Sequence, residues 1–481
     1  MPLVKISACM MVKNESERLA QCLDTINNVV DELIVVDTGS TDATVQIAQS
    51  YQAKIYHHLW EKNFSKHRNQ SISYASGDWI LIIDADEHLD LGTITPHELK
   101  ITITDLSHDI HAILCTVKNI MKTGQLSQLF QSPRLFRNDP RFHYEGTVHN
   151  VPVYYGKTVS MNIAINHYGF ALEPDKMKLK FERTTSLLHE RIQKNSNDAI
   201  AYFYLSNAYG FHGYFEDSIR YGKQCLRLSQ FKISQDSWKI TSLYRTIGRA
   251  YRALNQNNEA LSMYLQGLEI IPDDPDLHFE LTKMAAASCD FESIIKHGNF
   301  YLTGFDRYTN DPSLAKGRIL FSLDISFKRA IQYYVINAYL GLNQCDSAEQ
   351  LWQEVKTWIL EDASIHEEFL KNLCISGCNL LLSGYIHFLI EHQQQALELS
   401  TNPNYLFQMG NLCLDMNQPA FALSYYQKLI NQDLISVELL EQMKIAFQML
   451  NHIQGVERCD RLQKKLNPSI FQINNCKDER L

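Results

Sequence analysis

The sequence Trp79-Ile-Leu-Ile-Ile-Asp-Ala-Asp-Glu87 decides the fold of the first part of this chain. Its first five residues are apolar, as in a strand that is buried on both faces of a parallel sheet. Asp84, Asp86 and Glu87 follow, and carboxylates are costly to bury in such a core. We therefore expect them at the carboxyl end of the strand, where open α/β sheets bind ligands. Hard oxygen ligands there suit Mg²⁺ or Mn²⁺ holding a diphosphate, although Asp-x-Asp alone is also typical of a solvated turn.

Strands and helices alternate in the sequence before this strand. Lys5–Val12 is mostly apolar and ends at a polar loop, in which Asn14 is a candidate helix cap. Leu33–Val36 and Lys54–Tyr56 are shorter strands, and turn and helix patterns separate them. The helix after the first strand is amphipathic, with apolar residues at helical spacing at Leu19, Cys22, Leu23 and Ile26. This alternation predicts a parallel α/β sheet.

Three polar motifs follow the predicted strands in a fixed order. They are Val36–Asp42, Asn63–Asn69 and Asp84–Glu87. Together they resemble the motifs of the GT-A domain of family 2 glycosyltransferases, and the resemblance covers about residues 3 to 175. It implies a Rossmann-like α/β catalytic domain at residues 1–175 and a reaction that uses a nucleotide-sugar donor with Mn²⁺ or Mg²⁺.

The resemblance places the nucleotide at the ends of the first two strands. Asp37 can accept a hydrogen bond from the imide N–H of uracil, a donor that cytosine lacks, which favours a UDP-sugar. Asp37 could also cap the following helix, as could Thr38–Ser40. Glu15 matches the acidic residue that contacts the nucleoside in the family, and it could also be an ordinary acid in a first helical turn.

Arg68 and the carboxylates after the Trp79 strand are expected to surround the diphosphate and the metal. In the family this arginine lies beside the nucleotide, where its planar fork can orient Asp37 or pair with phosphate oxygens. The other reading of Arg68 is a solvated helix residue. Asp86 is the expected direct metal ligand, Asp84 is expected to contact ribose or metal-bound water, and Glu87 is expected to support the site from behind.

A second group of motifs resembles the acceptor-side half of the same domain. They are Ser132–Arg137, Phe142–His149 and Asn166–Phe170. Transfer with inversion needs a base that removes the acceptor's proton. Glu145 is the expected base and His149 the second choice; Glu145 could instead brace a turn, and His149 could be a core histidine. Relatives tend to carry an acid where Asn150 stands here, so any catalytic role of that acid does not transfer.

His167 matches a position from which many GT-A enzymes supply a third metal ligand. An imidazole is an acceptable ligand for Mn²⁺ and a poorer one for Mg²⁺. The alternative is a structural histidine beside Tyr168 and Gly169. The resemblance therefore implies a metal site formed by Asp86, His167 and Asp84.

The chain changes character after about Lys176, where helical pairs replace the strand patterns. One pair has the residues expected of a tetratricopeptide repeat at Tyr244, Ile247, Gly248, Tyr251, Ala260, Tyr264 and Pro272. Leu281 and Ala285 repeat Ile247 and Tyr251 after 34 residues. We therefore predict a tetratricopeptide-like α-helical solenoid at residues 176–481. Its concave surface would suit a peptide or a partner protein, and the alternatives are a homodimer through the helices or simple support of the catalytic domain.

Bulk properties narrow the partners and the location. The formal net charge of −9 argues against nucleic acid as the main partner. The amino terminus runs straight into a predicted core strand, which favours a cytoplasmic protein without a signal peptide.

Eleven cysteines without paired zinc spacing are expected to be reduced thiols, with Cys374 and Cys378 close together on one helix. Leu373–Ile390 lacks formal charge but is a poor membrane span, and two short helices joined near Ser383-Gly384 explain it better, with peripheral membrane contact left open.

These features predict a metal-dependent, inverting glycosyltransferase that moves a hexose, glucose or N-acetylglucosamine, from a UDP-sugar to a peptide or protein held partly by the repeats. The combination of domains resembles the sublancin-type peptide S-glycosyltransferases. The same catalytic motifs resemble the glucosyltransferases of lipopolysaccharide-core synthesis, so a glycolipid acceptor is the alternative. A third possibility is a repeat scaffold that binds nucleotide-sugar without turnover.

Overall fold

The structure, a computed structural model, describes residues 2–121, 126–169, 174–228, 237–311, 319–320, 322–361, 363–399 and 401–466. Close contacts divide the chain into two compact units. The first unit comprises Met1–Ser288 and Lys296–Ile331, and the second comprises Cys289–Ile295 and Gln332–Leu481. The first unit therefore contains the whole sheet together with the first helical pairs. The predicted boundary between residues 175 and 176 stays a prediction.

A mixed sheet forms the core of the first part of the chain. Its strands run in the order β3-β2-β1-β4-β7-β6-β10-β5, with β11 paired to β7, and β8 pairs with β9 in a separate small sheet. The strands are β1 Ile6–Val12, β2 Glu32–Asp37, β3 Lys54–His57, β4 Trp79–Ile82, β5 Glu87–Asp90, β6 Ile110–Ile120, β7 Leu126–Arg137, β8 His143–Glu145, β9 Val151–Val153, β10 Lys157–His167 and β11 Ile319–Leu320.

The predicted parallel arrangement is confirmed for the first four strands. β1 pairs in parallel with β2 and with β4, and β2 pairs in parallel with β3. Every residue of β4 is buried, as its apolar sequence predicts. The rest of the sheet is mixed, because β7 runs antiparallel to β4 and β6, and β5 runs antiparallel to β10.

β5 is a strand that the sequence did not predict. Its sequence, Glu-His-Leu-Asp, has only one apolar residue, so pattern alone does not mark it as a strand. It forms because β10 provides a partner, with Glu87 opposite His167 and His88 opposite Asn166. This pairing brings His167 beside the Asp84–Glu87 turn.

Four helices connect the strands of the sheet in the described part of this region. They are α1 Leu19–Ile26, α2 Thr44–Ser50, α3 Phe64–Ser73 and α4 Pro96–Thr104. The predicted apolar face of α1 is confirmed, because its buried residues are Leu19, Cys22, Leu23 and Ile26. The prediction that Asn14 caps α1 is wrong: Arg18 holds the cap position, and the Asn14 side chain instead accepts a hydrogen bond from the Thr41 amide at 2.8 Å.

The remaining described helices follow β10. They are α5 Pro174–Lys194, α6 Ala199–Phe211, α7 Phe215–Arg227, α8 Ser237–Ala253, α9 Asn257–Ile270, α10 Pro275–Ala287, α11 Phe291–Asn310, α12 Ile325–Gly341, α13 Cys345–Val355, α14 Ala363–Ser376, α15 Asn379–Glu391, α16 Gln393–Leu399, α17 Pro403–Asp415, α18 Pro419–Ile430, α19 Val437–Met449 and α20 Ile453–Leu466, with a short 3₁₀ turn at Ile359–Glu361. The predicted change to helical pairs after about residue 176 is confirmed.

Helical pairs pack through a glycine opposite a buried tyrosine. A Cβ atom on Gly248 of α8 would lie 2.3 Å from a ring carbon of Tyr264 of α9. Gly410 of α17 and Tyr426 of α18 have the same relation, at 2.1 Å. Both tyrosines are fully buried. Gly248, which the repeat pattern singled out, and Gly410 are therefore both required by close packing between helices.

Three expectations for the second unit are wrong. Cys345 and Cys378 form a disulfide, so these two are not reduced thiols, whereas the other described cysteines are free. Cys378 lies beyond the end of α14 and not on one helix with Cys374; the Cys374 side chain and Cys476 lie outside the described residues.

The helices of Leu373–Ile390 are joined at Gly377, whose φ of 71° favours glycine, and α15 continues through Ser383-Gly384. In the described part of the chain, the helices are too short or too polar to span a bilayer.

We predict that Gly248→Ala destabilises the first unit. The added methyl group would overlap the Tyr264 ring, and overpacking of this kind costs about 1–3 kcal/mol, more than the gain in helix propensity. Thermal denaturation should show a lower midpoint. Gly384→Ala is the matched control, because a Cβ there meets nothing within 4 Å, and it should leave the midpoint unchanged or raised. An unchanged midpoint for Gly248→Ala would contradict the packing.

Candidate active site

Functional side chains gather at the carboxyl edge of the parallel strands. β1, β2 and β4 end side by side, because Val12 lies opposite Asp37 and β4 pairs with β1 in parallel. Glu15 follows β1, Asp37 ends β2, and Asp84 follows β4. The sheet thus brings together three of the predicted site residues, as expected for strands that end at one edge.

Asp37 is held by the turn that follows it. Its Oδ1 accepts a hydrogen bond from the Ser40 amide at 3.0 Å, and its Oδ2 accepts one from the Gly39 amide at 3.3 Å and lies 3.2 Å from His57 Nδ1. Burial alone would raise the pKa of Asp37, but the hydrogen bonds from Ser40, His57 and Gly39 lower it below its usual value. The turn does not cap α2, which begins after Ala43 without a side-chain cap.

Arg68 pairs with Asp84 and not with Asp37. Its Nη2 donates to Asp84 Oδ1 at 2.8 Å and approaches Oδ2 at 3.2 Å, and the residue is only 6% exposed. The guanidinium lies 5.1 Å from the ring centre of Tyr144. Among the described residues, neither Arg68 Nε nor Arg68 Nη1 has a hydrogen-bond partner. The arginine is therefore a buried part of the site, and the reading as a solvated helix residue does not fit.

Glu87 holds the Asp84–Glu87 turn from its buried side. Its Oε2 accepts a hydrogen bond from the Asp84 amide at 2.9 Å, and its Oε1 accepts one from Arg134 Nη2 at 2.5 Å. Glu87 is 1% exposed, so it is out of reach of a ligand in solvent. The carboxylate therefore supports the loop and leaves Asp84 and Asp86 at the surface of the site.

Asp86 and His167 lie side by side. Asp86 Oδ2 is 3.5 Å from His167 Nε2, and His167 Nδ1 is 2.6 Å from the Asn119 side-chain oxygen. With a cation bound between the two side chains, an N–H at Nδ1 that donates to Asn119 would leave the lone pair of Nε2 for that cation. Burial alone would raise the pKa of Asp86, but the contact with His167 and the charges of Lys180 and Arg18 lower it to about 2.

The Asp86–His167 pair fits a divalent cation. An oxygen and an imidazole nitrogen that lie 3.5 Å apart could both reach one divalent cation, whose bonds to such ligands are roughly 2.1 Å long. Gly169 leaves the space open, since a Cβ there would lie 2.4 Å from His167 Nε2 and 2.6 Å from Asp86 Oδ2. Among the described residues no group of three or more His, Cys, Asp or Glu could hold a metal ion, so the remaining ligands would come from elsewhere.

Glu15 lies in a crowded acidic environment. Its amide donates to Thr44 Oγ1 at 2.8 Å. Burial and the charges of Asp86 and Asp84 raise the pKa of Glu15 to about 7, against the opposing effect of Arg18 and Arg183. The structure thus brings Glu15 close to the predicted metal ligands as well as to the end of β2.

The two candidate bases lie in different surroundings. The Glu145 side chain is 69% exposed and lies 3.2 Å from His143 Nε2. His149 stacks on Tyr204 of α6, with ring centres 3.5 Å apart. Burial, with the positive charges of Arg191 and Lys180, lowers the pKa of His149 to about 4.

Several residues of this site were not predicted from the sequence. Arg134 lies inside the Ser132–Arg137 motif, so its position in that motif was the available signal. No sequence pattern pointed to Asn119, Arg18 or Lys180, because they contact the site only through residues that are distant in sequence. Arg18 donates to the Tyr168 carbonyl at 3.0 Å, and Lys180 donates to the Gly169 carbonyl at 3.3 Å.

Comparison with protein families gives two matches. The model of glycosyl transferase family 2 matches residues 7–162, and the tetratricopeptide repeat model matches residues 242–274. The first match contains most of the motifs described above, and the second coincides with most of α8 and all of α9. Both resemblances deduced from the sequence are therefore confirmed.

Individual relatives agree with these families. The chain is 40% identical to a TPR repeat-containing protein of Synechococcus elongatus over 31% of this chain and 36% of the relative. It is 30% identical to the SPbeta prophage-derived glycosyltransferase SunS of Bacillus subtilis over 39% of this chain and 45% of the relative. The chain thus spans less than half the length of these relatives.

Among solved structures, glucosyl-3-phosphoglycerate synthase from Mycobacterium tuberculosis, in complex with Mn²⁺, UDP-glucose and phosphoglyceric acid, is 24% identical. The likeness covers 25% of this chain and 45% of that chain, with a TM-score of 0.19. On the family matches and the sheet described above, this chain carries a family 2 glycosyltransferase domain with a GT-A fold, followed by a helical region that contains a tetratricopeptide repeat.

Proposed function

We propose that this protein is a metal-dependent, inverting glycosyltransferase that moves a hexose from a UDP-sugar to a peptide or protein acceptor. The observation that carries the proposal is the Asp86–His167 pair, 3.5 Å apart at the carboxyl edge of the sheet and next to Asp84. The family match at residues 7–162 supports the same activity.

The donor side divides into three tasks. Asp37 would accept the imide N–H of uracil, the donor that distinguishes uracil from cytosine. Asp86 and His167 would hold Mn²⁺ or Mg²⁺, with Asp84 beside them. When bound, the cation supplies positive charge that stabilises the departing UDP. Arg68 holds Asp84 in place and has two further nitrogens without described partners.

Glu145 is the proposed base on the acceptor side. It is open to solvent, so an acceptor can reach it, and His143 restrains its carboxylate at 3.2 Å. It would take the proton of the acceptor as the new bond to the sugar forms on the face opposite UDP. His149 is less suited to this role, because one face of its ring is covered by Tyr204 and its pKa of about 4 makes it a weak base.

A peptide or protein acceptor is favoured by the position of the first helical pair. Tyr204 of α6 stacks on His149, and Val148 packs against the cluster of Leu188, Ala201 and Leu205. The acceptor-side loop therefore touches the helical region directly. An acceptor that binds the helices would lie next to the loop that carries Glu145. A homodimer through the helices and a cytoplasmic location stay predictions.

We predict that Asp86→Ala abolishes Mn²⁺-dependent release of UDP from the one UDP-sugar that wild type uses. Loss of the carboxylate removes one of two protein ligands, and loss of a metal ligand should lower turnover by at least about 100-fold. UDP release from a panel of UDP-sugars measures this. Asp105→Ala, an exposed carboxylate at the end of α4, is the control. Equal release by Asp86→Ala and wild type would refute the metal site.

We predict that Glu145→Gln lowers sugar transfer by about 10²–10⁴-fold, the usual contribution of a general base. UDP binding should stay unchanged, since Glu145 lies on the acceptor side. Transfer is measured by mass spectrometry with an acceptor found in parallel screens of peptides and lipid-linked sugars. A lipid-linked acceptor would identify the glycolipid alternative. A Glu145→Gln enzyme with full activity, together with an inactive His149→Phe enzyme, would reassign the base to His149.

We predict that His149 makes the folded state less stable in acid. The folded pKa of about 4 lies below the usual 6.5, so the unfolded chain binds a proton that the folded chain does not take up. The contribution of neutral His149 is complete above pH 6.5 and is lost as the pH falls toward 4, by about 2 kcal/mol at pH 5. His149→Phe keeps the stacking on Tyr204 but cannot be protonated. Its denaturation temperature should therefore fall less than that of wild type between pH 7.5 and 5; an equal fall would contradict the prediction.

A further inference from the structure

Helix α5, Pro174–Lys194, follows the family match but contacts the candidate donor site. Lys180 Nζ donates to the carbonyl of Gly169 at 3.3 Å. Gly169 is the residue whose Cβ would lie between Asp86 Oδ2 and His167 Nε2, so the ammonium group lies close to the proposed metal ligands. The sequence assigned this helix to the repeat region, yet it borders the catalytic edge of the sheet.

Arg183, one helical turn after Lys180, lies over the start of α3. Its guanidinium is 5.4 Å from the ring centre of Phe64, the first residue of the helix that carries Arg68. It also interacts electrostatically with Glu15, at the end of β1. Lys180 and Arg183 therefore lie on the side of α5 that faces the site, one near the Asp86–His167 pair and the other near Glu15.

The net charge around the site favours an anionic ligand. Asp84 and Glu87 are each paired with a buried arginine, Arg68 and Arg134. In the described part of the site, the acidic side chains without such an arginine partner are Asp37, Asp86 and Glu15. Asp86 and Glu15 interact with three cationic side chains, Arg18, Lys180 and Arg183. Together with a divalent cation, this gives a surplus of positive charge where a diphosphate would lie.

We propose that Lys180 and Arg183 bind the diphosphate of the nucleotide-sugar donor, so that α5 forms one wall of the donor site. This inference rests on the proposed function. When the sugar–oxygen bond breaks, its electron pair moves onto the diphosphate, while the acceptor atom bonds to the sugar carbon and its proton passes to Glu145. An ammonium and a guanidinium beside the diphosphate stabilise that added negative charge.

The test compares binding of UDP with binding of uridine to the full chain, by calorimetry in Mn²⁺. Lys180→Gln and Arg183→Gln each remove a charge, and the glutamine at 180 keeps a donor for the Gly169 carbonyl. Each should weaken UDP binding about tenfold and change uridine binding less than twofold, because uridine has no phosphate. Lys180→Arg should retain most of the UDP affinity. Lys178→Gln, an exposed lysine on the same helix, is the matched control and should bind UDP like wild type.

Two results would overturn the inference. UDP affinity within twofold of wild type in both glutamine variants would show that α5 does not contact the diphosphate, while the proposed transferase activity would stand. An equal loss of UDP and uridine affinity, with a lowered denaturation temperature, would assign Lys180 and Arg183 a structural role only. If wild type itself bound no UDP, the proposed function would fall, and this inference with it.

Discussion

Carboxylates that follow a buried strand need cationic partners, and this requirement organises the whole catalytic edge. Arg68 from α3 pairs with Asp84, and Arg134 from β7 pairs with Glu87. Both arginines are largely buried, so removing one would leave an uncompensated charge, at a cost of about 3–5 kcal/mol. The two ion pairs tie a helix and a distant strand to one short turn. They thereby fix the position of Asp86, which neither arginine pairs with.

Close approach of the backbone completes the same edge. Gly169 lies against Asp86 and His167, where any side chain would displace one of them. Arg18 and Lys180 hold the neighbouring carbonyls of Tyr168 and Gly169. The segment after β10 is thus held from two sides, by α1 and by α5. The site is built from segments that are far apart in sequence, which explains why its geometry depends on the packing of the first helices as well as on the sheet.

The helical region shows how one packing rule recurs while local details vary. Gly248 and Tyr264, and Gly410 and Tyr426, have the same close contact between paired helices. Between these pairs, the Cys345–Cys378 disulfide connects the start of α13 to the cap of α15. The repeat pattern predicts the first feature because it is local and periodic. It says nothing about the second, because a disulfide depends on which helix ends meet in space.

The sequence by itself determined the first four strands of the sheet and the helices between them, since apolar periodicity reports which faces are buried. It also determined which polar residues end those strands, and therefore the membership of Asp37, Asp84 and Asp86 in the site. Only the tertiary structure decided which strands and which side chains pair with one another. β5 forms because β10 is beside it, Arg68 binds Asp84 in preference to Asp37, and Lys180 reaches the site from a helix outside the motifs. Contacts between residues distant in sequence leave no periodic trace, so a single sequence cannot specify them.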